Sequence, residues 1–140
     1  MRSFILIALL LALASADFTP NWTSCSGSDD PWQPTTVTLD NQPVPNENDK
    51  IHACGTVQDD VTVGSFKLQV KLGGIVVFTQ VVKVTQQEVL PGSQYCFDYS
   101  AYIPPIAKGS FDITFELQDN TDAGIGCVNL DLKIGGAESQ

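Results

Sequence analysis

Few side chains in this 140-residue sequence could take part in catalysis. His52 is the only histidine, so a nucleophile–base pair or a zinc site would depend on this one ring. The cysteines, which are Cys25, Cys54, Cys96 and Cys127, lack the close spacing of zinc ligands. The sequence also lacks a Gly-rich phosphate loop and a Gly-x-Ser-x-Gly motif. These observations argue against an enzyme, and they predict no metal and no cofactor.

Acidic residues are grouped in segments rich in turn-forming residues, as at Asp29-Asp30, Asp59-Asp60 and Asp119 with Asp122. None of these groups matches a calcium loop that ends in a bidentate glutamate, so we expect solvated turn carboxylates. The chain has 16 Asp and Glu against 7 Lys and Arg, a formal charge of −9. This charge disfavours binding to nucleic acid and repels anionic membrane surfaces.

The first sixteen residues have the organisation of a secretory signal. Met1-Arg2-Ser3 precedes an apolar run over residues 4–13, and the small residues Ala14-Ser15-Ala16 follow it. This run is shorter than the ~20 apolar residues of a membrane span. We therefore expect a signal peptide over residues 1–16, a single domain over residues 17–140, and delivery to the exterior or to the endolysosomal lumen.

Two covalent features are expected in an exported chain. An oxidising compartment favours two disulfides among the four cysteines, and the sequence alone allows three pairings. Asn21-Trp22-Thr23 is an N-glycosylation sequon, so Asn21 is a candidate acceptor.

The elements that must position these residues are strands. Apolar and polar side chains alternate over residues 66–72, 111–118 and 128–134, the pattern of a strand with one buried face. Weaker strands are predicted over residues 35–39, 50–57, 75–84 and 95–102. Gly73-Gly74 predicts a tight hairpin between two of them. This spacing favours an all-β, immunoglobulin-like two-sheet antiparallel sandwich, with a barrel as the alternative.

The aromatic residues leave alternatives open. Trp22 and Trp32 lie in a polar, proline-bearing segment that we do not predict as strand. They could form a sugar-stacking or membrane-touching surface, or they could cover one end of the sandwich. The aromatic run that follows, Tyr95, Phe97, Tyr99 and Tyr102, fits both ordinary core filling and the lining of a ligand cavity.

The order of motifs resembles that of the ML (lipid-recognition) family, which includes phosphatidylglycerol/phosphatidylinositol transfer proteins and the Niemann-Pick type C2 sterol carrier. The resemblance covers residues 22–134. It depends on Trp22-Thr23-Ser24-Cys25, the Gly-Gly hairpin, Pro104-Pro105, the stretch Phe115-Glu116-Leu117-Gln118-Asp119 and a last strand opened by Gly126-Cys127.

The resemblance implies a sandwich whose sheets are splayed around a cavity for lipid tails. It also implies a disulfide between the first and last cysteines, Cys25 and Cys127, which leaves Cys54 to pair with Cys96. The sequence departs from its sterol-binding relatives at Val128, where they tend to carry a bulky ring directly after the last cysteine. A phospholipid is therefore favoured over a sterol.

The function implied by the resemblance is noncovalent lipid binding and transfer, with transient membrane contact and no cofactor. We expect the cavity to be lined by Phe66, Leu68, Val70, Phe78, Phe111, Phe115, Val128 and Leu130. Its rim is expected in the stretch over residues 99–105, in particular at Tyr99, Tyr102 and Ile103. Alternation by itself fits a fully packed core equally well. The alternatives are a sterol carrier, a carbohydrate-binding or adhesive sandwich, and an accessory protein that presents lipid to a partner. A monomer is the default expectation.

Overall fold

The computed structural model describes residues 17–135, so the predicted signal peptide over residues 1–16 lies outside the described residues. The described part consists of strands joined by turns, and it includes no helix long and apolar enough to cross a membrane. The strands are β1 (Asn21–Ser24), β2 (Trp32–Leu39), β3 (Glu47–Val57), β4 (Val61–Leu72), β5 (Ile75–Val89), β6 (Gln94–Ile103), β7 (Gly109–Asp119) and β8 (Gly124–Ile134).

These strands form two antiparallel sheets. The larger has the order β1-β8-β7-β4-β5 and the smaller has the order β2-β3-β6. The predicted all-β sandwich is confirmed, and each of the predicted strands lies inside an observed one. The alternating residues of β4 and β7 lie opposite one another, Phe66 beside Leu117 and Leu68 beside Phe115, so their apolar sides form one inner face.

The core between the sheets is centred on aromatic rings. Phe66 of the larger sheet stacks on Phe97 of the smaller one, with ring centroids 4.7 Å apart. Phe115 lies 5.7 Å from Phe97 and 5.9 Å from Phe66, in tilted and edge-on arrangements that aromatic pairs favour. This cluster joins the two sheets where they are best packed.

The expectation that both tryptophans lie outside the strands is wrong. Trp22 lies in β1 opposite Leu130, and Trp32 opens β2 with 0% of its surface exposed. The indole Nε1 of Trp32 donates a hydrogen bond to the carbonyl of Tyr95 at 3.1 Å. A Cβ added at Gly126 would lie 2.5 Å from the carbonyl oxygen of Trp32, so glycine is required for this close approach. Trp32 is therefore a core residue and cannot stack on a sugar.

Two disulfides reinforce the sandwich, and both have the pairing expected from the family resemblance. Cys25, just after β1, is bonded to Cys127 of β8, while Cys54 and Cys96 are opposed residues of β3 and β6. The first bridge joins residues separated by 102 positions, for which the chain-entropy model gives about 4.7 kcal/mol of stabilisation.

The connections gather at two ends of the sandwich. One, called the hairpin end, has the loop at residues 40–46, the Gly73-Gly74 turn and the loop at residues 104–108; there the amide of Asn46 donates to the carbonyl of Ile103 at 2.7 Å. The other, called the acidic end, has the loops at residues 25–31, 58–60, 90–93 and 120–123. These loops are joined by backbone hydrogen bonds, including one from Gln58 to the carbonyl of Pro31 at 2.8 Å.

Candidate functional site

A cavity of about 410 Å³ lies between the two sheets at the hairpin end. Its walls come from both sheets and are mostly apolar. They consist of Ile51, Leu68, Val70, Phe78, Tyr99, Ser100, Ala101, Tyr102, Pro104 and Ile113. The volume falls within the ~300–1,000 Å³ typical of small-molecule sites.

The cavity exists because the sheets diverge across the sandwich. Their backbones approach each other much more closely where β2 faces β8 than where β5 faces β6. On the wide side, Leu68 and Val70 of β4 and Phe78 of β5 face Ile51 of β3 and Tyr99 of β6. These side chains do not fill the gap, although Tyr99 reaches across it to Gln80, so an apolar space remains.

Tyr99 separates this cavity from the aromatic core. Its ring lies edge-on to Phe66 and Phe115, with centroids 6.2 Å and 6.0 Å away. The hydroxyl of Tyr99 donates a hydrogen bond to Oε1 of Gln80 at 2.9 Å, which connects the edge strands β6 and β5. Burial raises the pKa of the Tyr99 hydroxyl, so Tyr99 is a neutral donor at physiological pH.

The rim carries a second hydrogen bond that involves a tyrosine. The hydroxyl of Tyr102 donates to Oδ1 of Asn46 at 2.7 Å, while the amide of Asn46 donates to the carbonyl of Ile103. Asn46 has a φ of 68°, a left-handed conformation that asparagine adopts more readily than most residues. The loop at residues 40–46 is thereby fixed against the rim.

The predicted lining residues fall into two groups. Leu68, Val70 and Phe78 line the cavity, as do Tyr99 and Tyr102 of the predicted rim. The others pack elsewhere: Phe66, Phe115, Val128 and Leu130 are closed inside the core, Ile103 is buried beside Pro104, and Phe111 is half-buried between Leu72 and Leu132. Contact of this second group with a ligand stays a prediction.

Two lining residues, Ile51 and Ile113, were not predicted, whereas Ser100, Ala101 and Pro104 belong to the predicted rim stretch over residues 99–105. The sequence held a signal for both of the missed residues. Ile113 lies between Phe111 and Phe115 on the alternating face of β7, and Ile51 begins the buried apolar positions of β3 that continue with Ala53.

His52 lies outside this cavity, on the outer face of the smaller sheet. Its Nδ1 is 2.7 Å from a carboxylate oxygen of Asp98, and its Nε2 is 2.7 Å from one of Asp40. The hydrogen bond with Asp40, assisted by that with Asp98, raises the pKa of His52 despite partial desolvation. The ring is partly exposed. No group of three or more His, Cys, Asp or Glu suited to a metal occurs among residues 17–135.

The sequence profile of the ML domain matches residues 19–134, and the chain belongs to this family. A protein of Dictyostelium discoideum with the provisional name phosphatidylglycerol/phosphatidylinositol transfer protein is 28% identical over 141 residues, covering 96% of this chain and 100% of that protein.

Solved structures share the fold at lower identity. A Niemann-Pick type C2 protein from Japanese carpenter ant superposes with a TM-score of 0.61 at 13% identity, covering 82% of this chain and 99% of that one. Chicken MD-1 complexed with lipid IVa superposes with a TM-score of 0.56 at 14% identity, covering 84% of this chain and 96% of that one. At such identities these likenesses establish the two-sheet fold.

Proposed function

We propose that the chain binds a phospholipid by taking an acyl chain into the cavity at the hairpin end, and carries it between membranes without chemical change. The observation that carries this proposal is the apolar space between two sheets whose facing edges stand apart. The name of the Dictyostelium relative and the bound lipid of MD-1 support it.

The energetic advantage comes from removing methylene groups from water. Each buried CH₂ contributes ~0.8 kcal/mol, so a chain of ~16 carbons exposed to water costs on the order of 13 kcal/mol. A cavity wall of Leu68, Val70, Phe78 and Ile113 supplies the alternative apolar environment. The polar head group stays outside, near Ser100 and the Tyr102 hydroxyl.

The depth of penetration depends on Tyr99. An acyl chain that stays on the cavity side of the Tyr99 ring contacts only the residues that line the cavity. A longer chain reaches the predicted group Phe66, Phe115, Val128 and Leu130 only after the Tyr99 ring moves aside, because these residues are closed inside the core.

Phe78→Asp tests the proposal. Phe78 lines the cavity and is 46% exposed, so the variant should fold while placing a charge on the apolar wall. We expect transfer of a fluorescent phosphatidylglycerol between vesicles to fall by at least tenfold. Thr79→Asp is the matched control, since Thr79 lies next to it on the outer side, opposite Gln69. Normal transfer by folded Phe78→Asp contradicts the proposal.

Phe115→Asp is a poorer test although the sequence suggests it. Phe115 is 0% exposed, so an aspartate there would carry an unpaired charge into the closed core and unfold the protein. Loss of transfer would then report on folding and not on the cavity.

The lipid class is a separate part of the proposal. We infer a phosphatidylglycerol or phosphatidylinositol, as the name of the Dictyostelium relative supports. Mass spectrometry of lipid that co-purifies with the protein distinguishes this from a sterol. Extraction that proceeds to transfer only after a partner is added indicates a lipid-presenting accessory protein instead. A glycan-binding role would depend on Trp22 alone, since Trp32 is buried.

We further propose that the chain acts as a monomer in the secretory or endolysosomal lumen. Its two disulfides support an oxidising compartment. Asn21 is exposed in β1, so the sequon is accessible to glycosylation. Digestion with an endoglycosidase, followed by measurement of the mass, tests whether Asn21 is modified.

A further inference from the structure

The large apolar side chains that are exposed in the described residues are concentrated at the hairpin end. Only Val81 and Leu90 of this set lie elsewhere. Ile75, directly after the Gly73-Gly74 turn, is 70% exposed, and Ile106 in the neighbouring loop is 91% exposed. Contiguous exposed apolar surface of this kind marks an interaction site.

The hairpin presents apolar side chains on both of its faces. Ile75 pairs with Leu72 on the inner side, whereas Val76 pairs with Lys71 on the outer side. The unpaired Val77 lies in the irregularity of the ladder between Val76 and Phe78. A protein groove would cover one side of such a hairpin. A fluid apolar medium surrounds both sides, which favours a lipid bilayer as the occupant.

Charge is distributed unevenly between the two ends. The hairpin end has four lysines and six acids, namely Lys50, Lys71, Lys108 and Lys133 with Asp17, Asp40, Glu47, Asp49, Asp112 and Asp131, so its charges largely offset one another. The loops of the acidic end hold five carboxylates and no Lys or Arg, with Asp29, Asp30, Asp59, Asp60 and Asp122. A surface that carries phosphate groups is therefore repelled by the acidic end much more than by the hairpin end.

The carboxylates of the acidic end add little repulsion at the hairpin end because of their distance from it. The eleven residues of β7 run between the ends and span about 35 Å at ~3.3 Å per residue. The Debye length at physiological ionic strength is about 8 Å. Carboxylates of the acidic end are thus screened from a bilayer that touches the hairpin.

We propose that the hairpin end is a membrane-docking surface, in which Ile75, Val76 and Ile106 insert into a phospholipid bilayer while Lys71 and Lys108 lie at the level of its phosphate groups. This inference rests on the proposed function, because docking brings the cavity opening to the lipid. The cavity and the docking surface nevertheless use different side chains, so they can be tested separately.

Vesicle co-sedimentation of the disulfide-bonded protein tests docking. With vesicles of phosphatidylcholine and phosphatidylglycerol, we expect the double variant Val76→Asp/Ile106→Asp to bind at least tenfold more weakly than the unmodified protein. Val81→Asp is the matched control, since Val81 is 51% exposed on the same strand but lies opposite Lys67, away from the turn. Equal binding by the double variant, or no binding by the unmodified protein, overturns the inference.

A second measurement separates docking from cargo binding. Uptake of a short-chain fluorescent phospholipid from solution, without vesicles, should be normal in Val76→Asp/Ile106→Asp and lost in Phe78→Asp. If the double variant loses this uptake as well, its effect lies in the cavity and the docking inference is wrong. If the unmodified protein and both variants fail to take up the lipid while the unmodified protein still binds vesicles, the proposed function is contradicted and the docking inference is not.

A third measurement distinguishes a bilayer from a second copy of the chain. In lipid-free buffer, sedimentation equilibrium should give a monomer for the unmodified protein and for Val76→Asp/Ile106→Asp. A dimer that the double substitution dissociates would assign the apolar surface to self-association and overturn docking.

Discussion

The imidazole of His52 connects two segments of the smaller sheet, because it lies between Asp98 of β6 and Asp40 directly after β2. Both carboxylates favour the protonated ring, and the pKa of His52 is raised above its usual value of 6.5, chiefly by Asp40. A raised pKa in the folded state means that the folded state binds the proton more tightly. This stabilisation is fully present below about pH 6.5 and is lost as the pH rises through the raised pKa.

We therefore predict that His52→Gln lowers the free energy of unfolding more at pH 5.5 than at pH 9. The difference should be about 1 kcal/mol or less, because all three partners are partly exposed. Urea denaturation of both proteins at the two pH values measures it. An equal loss at both pH values shows that the imidazole charge does not contribute.

Asp49 also contributes to the pH dependence of stability, but it does not affect the difference between His52→Gln and the unmodified protein. Its buried carboxylate accepts hydrogen bonds from the amides of Asn41 and Lys50, and desolvation raises its pKa. It therefore makes its own contribution to the pH dependence of folding. Because Asp49 is present in both proteins, that contribution largely cancels in the difference.

At the scale of the strands, the hydrogen bond between Tyr99 and Gln80 is a contact between the edges of two different sheets. The backbones of β5 and β6 make few close approaches, so this bond is a direct link across the wide side of the sandwich. It also fixes the ring that separates the cavity from the aromatic core. Breaking the bond should ease opening between the sheets without removing the ring.

We predict that Tyr99→Phe speeds both uptake and release of lipid several-fold while stability changes by only ~1 kcal/mol, the contribution of one hydrogen bond. Stopped-flow fluorescence with a labelled phospholipid measures the rates, and urea denaturation measures the stability. Gln80→Leu should have the same effect on the rates, since it removes the acceptor of the same bond. Unchanged rates in both variants mean that this contact does not limit access.

Strands were predictable from the sequence where one face is buried and the other is solvated. This holds for β7 and β8, in which the apolar positions of the alternating pattern are those that face the core. The pattern fails at the end of β5, where residues 85–88 are polar on both sides of an exposed edge strand. It also fails for β1, which at four residues is too short to show a period.

The depth of each side chain could not be predicted in the same way. Phe66 and Val70 lie on one face of one strand, yet Phe66 is closed in the aromatic core and Val70 lines the cavity. What distinguishes them is the separation between sheets, which results from the packing of Phe66 on Phe97 at one level and the absence of such a partner at the other. Local alternation has no information about that separation. The disulfide pairing came instead from the resemblance to the ML family.

At the scale of the whole molecule, the net charge is less informative than its placement. A formal charge of −9 predicts repulsion from anionic membranes, but five of the carboxylates lie in loops at the end opposite the cavity opening, where no lysine or arginine offsets them. The molecule therefore presents an apolar end with several lysines and an acidic end. Such a distribution orients the protein on a bilayer with its cavity towards the lipid.

This arrangement predicts how salt controls the effect of the distant acids. We predict that Asp29→Asn/Asp30→Asn/Asp59→Asn/Asp60→Asn leaves binding to phosphatidylglycerol vesicles within twofold of normal at ~0.15 M salt, where the Debye length is about 8 Å. At ~0.01 M salt the Debye length grows to about 30 Å, comparable to the distance between the ends, and the variant should bind several-fold more tightly than the unmodified protein. Co-sedimentation at the two salt concentrations measures both effects. Tighter binding already at ~0.15 M salt would mean that the acidic end lies close to the bilayer, which contradicts docking through the hairpin.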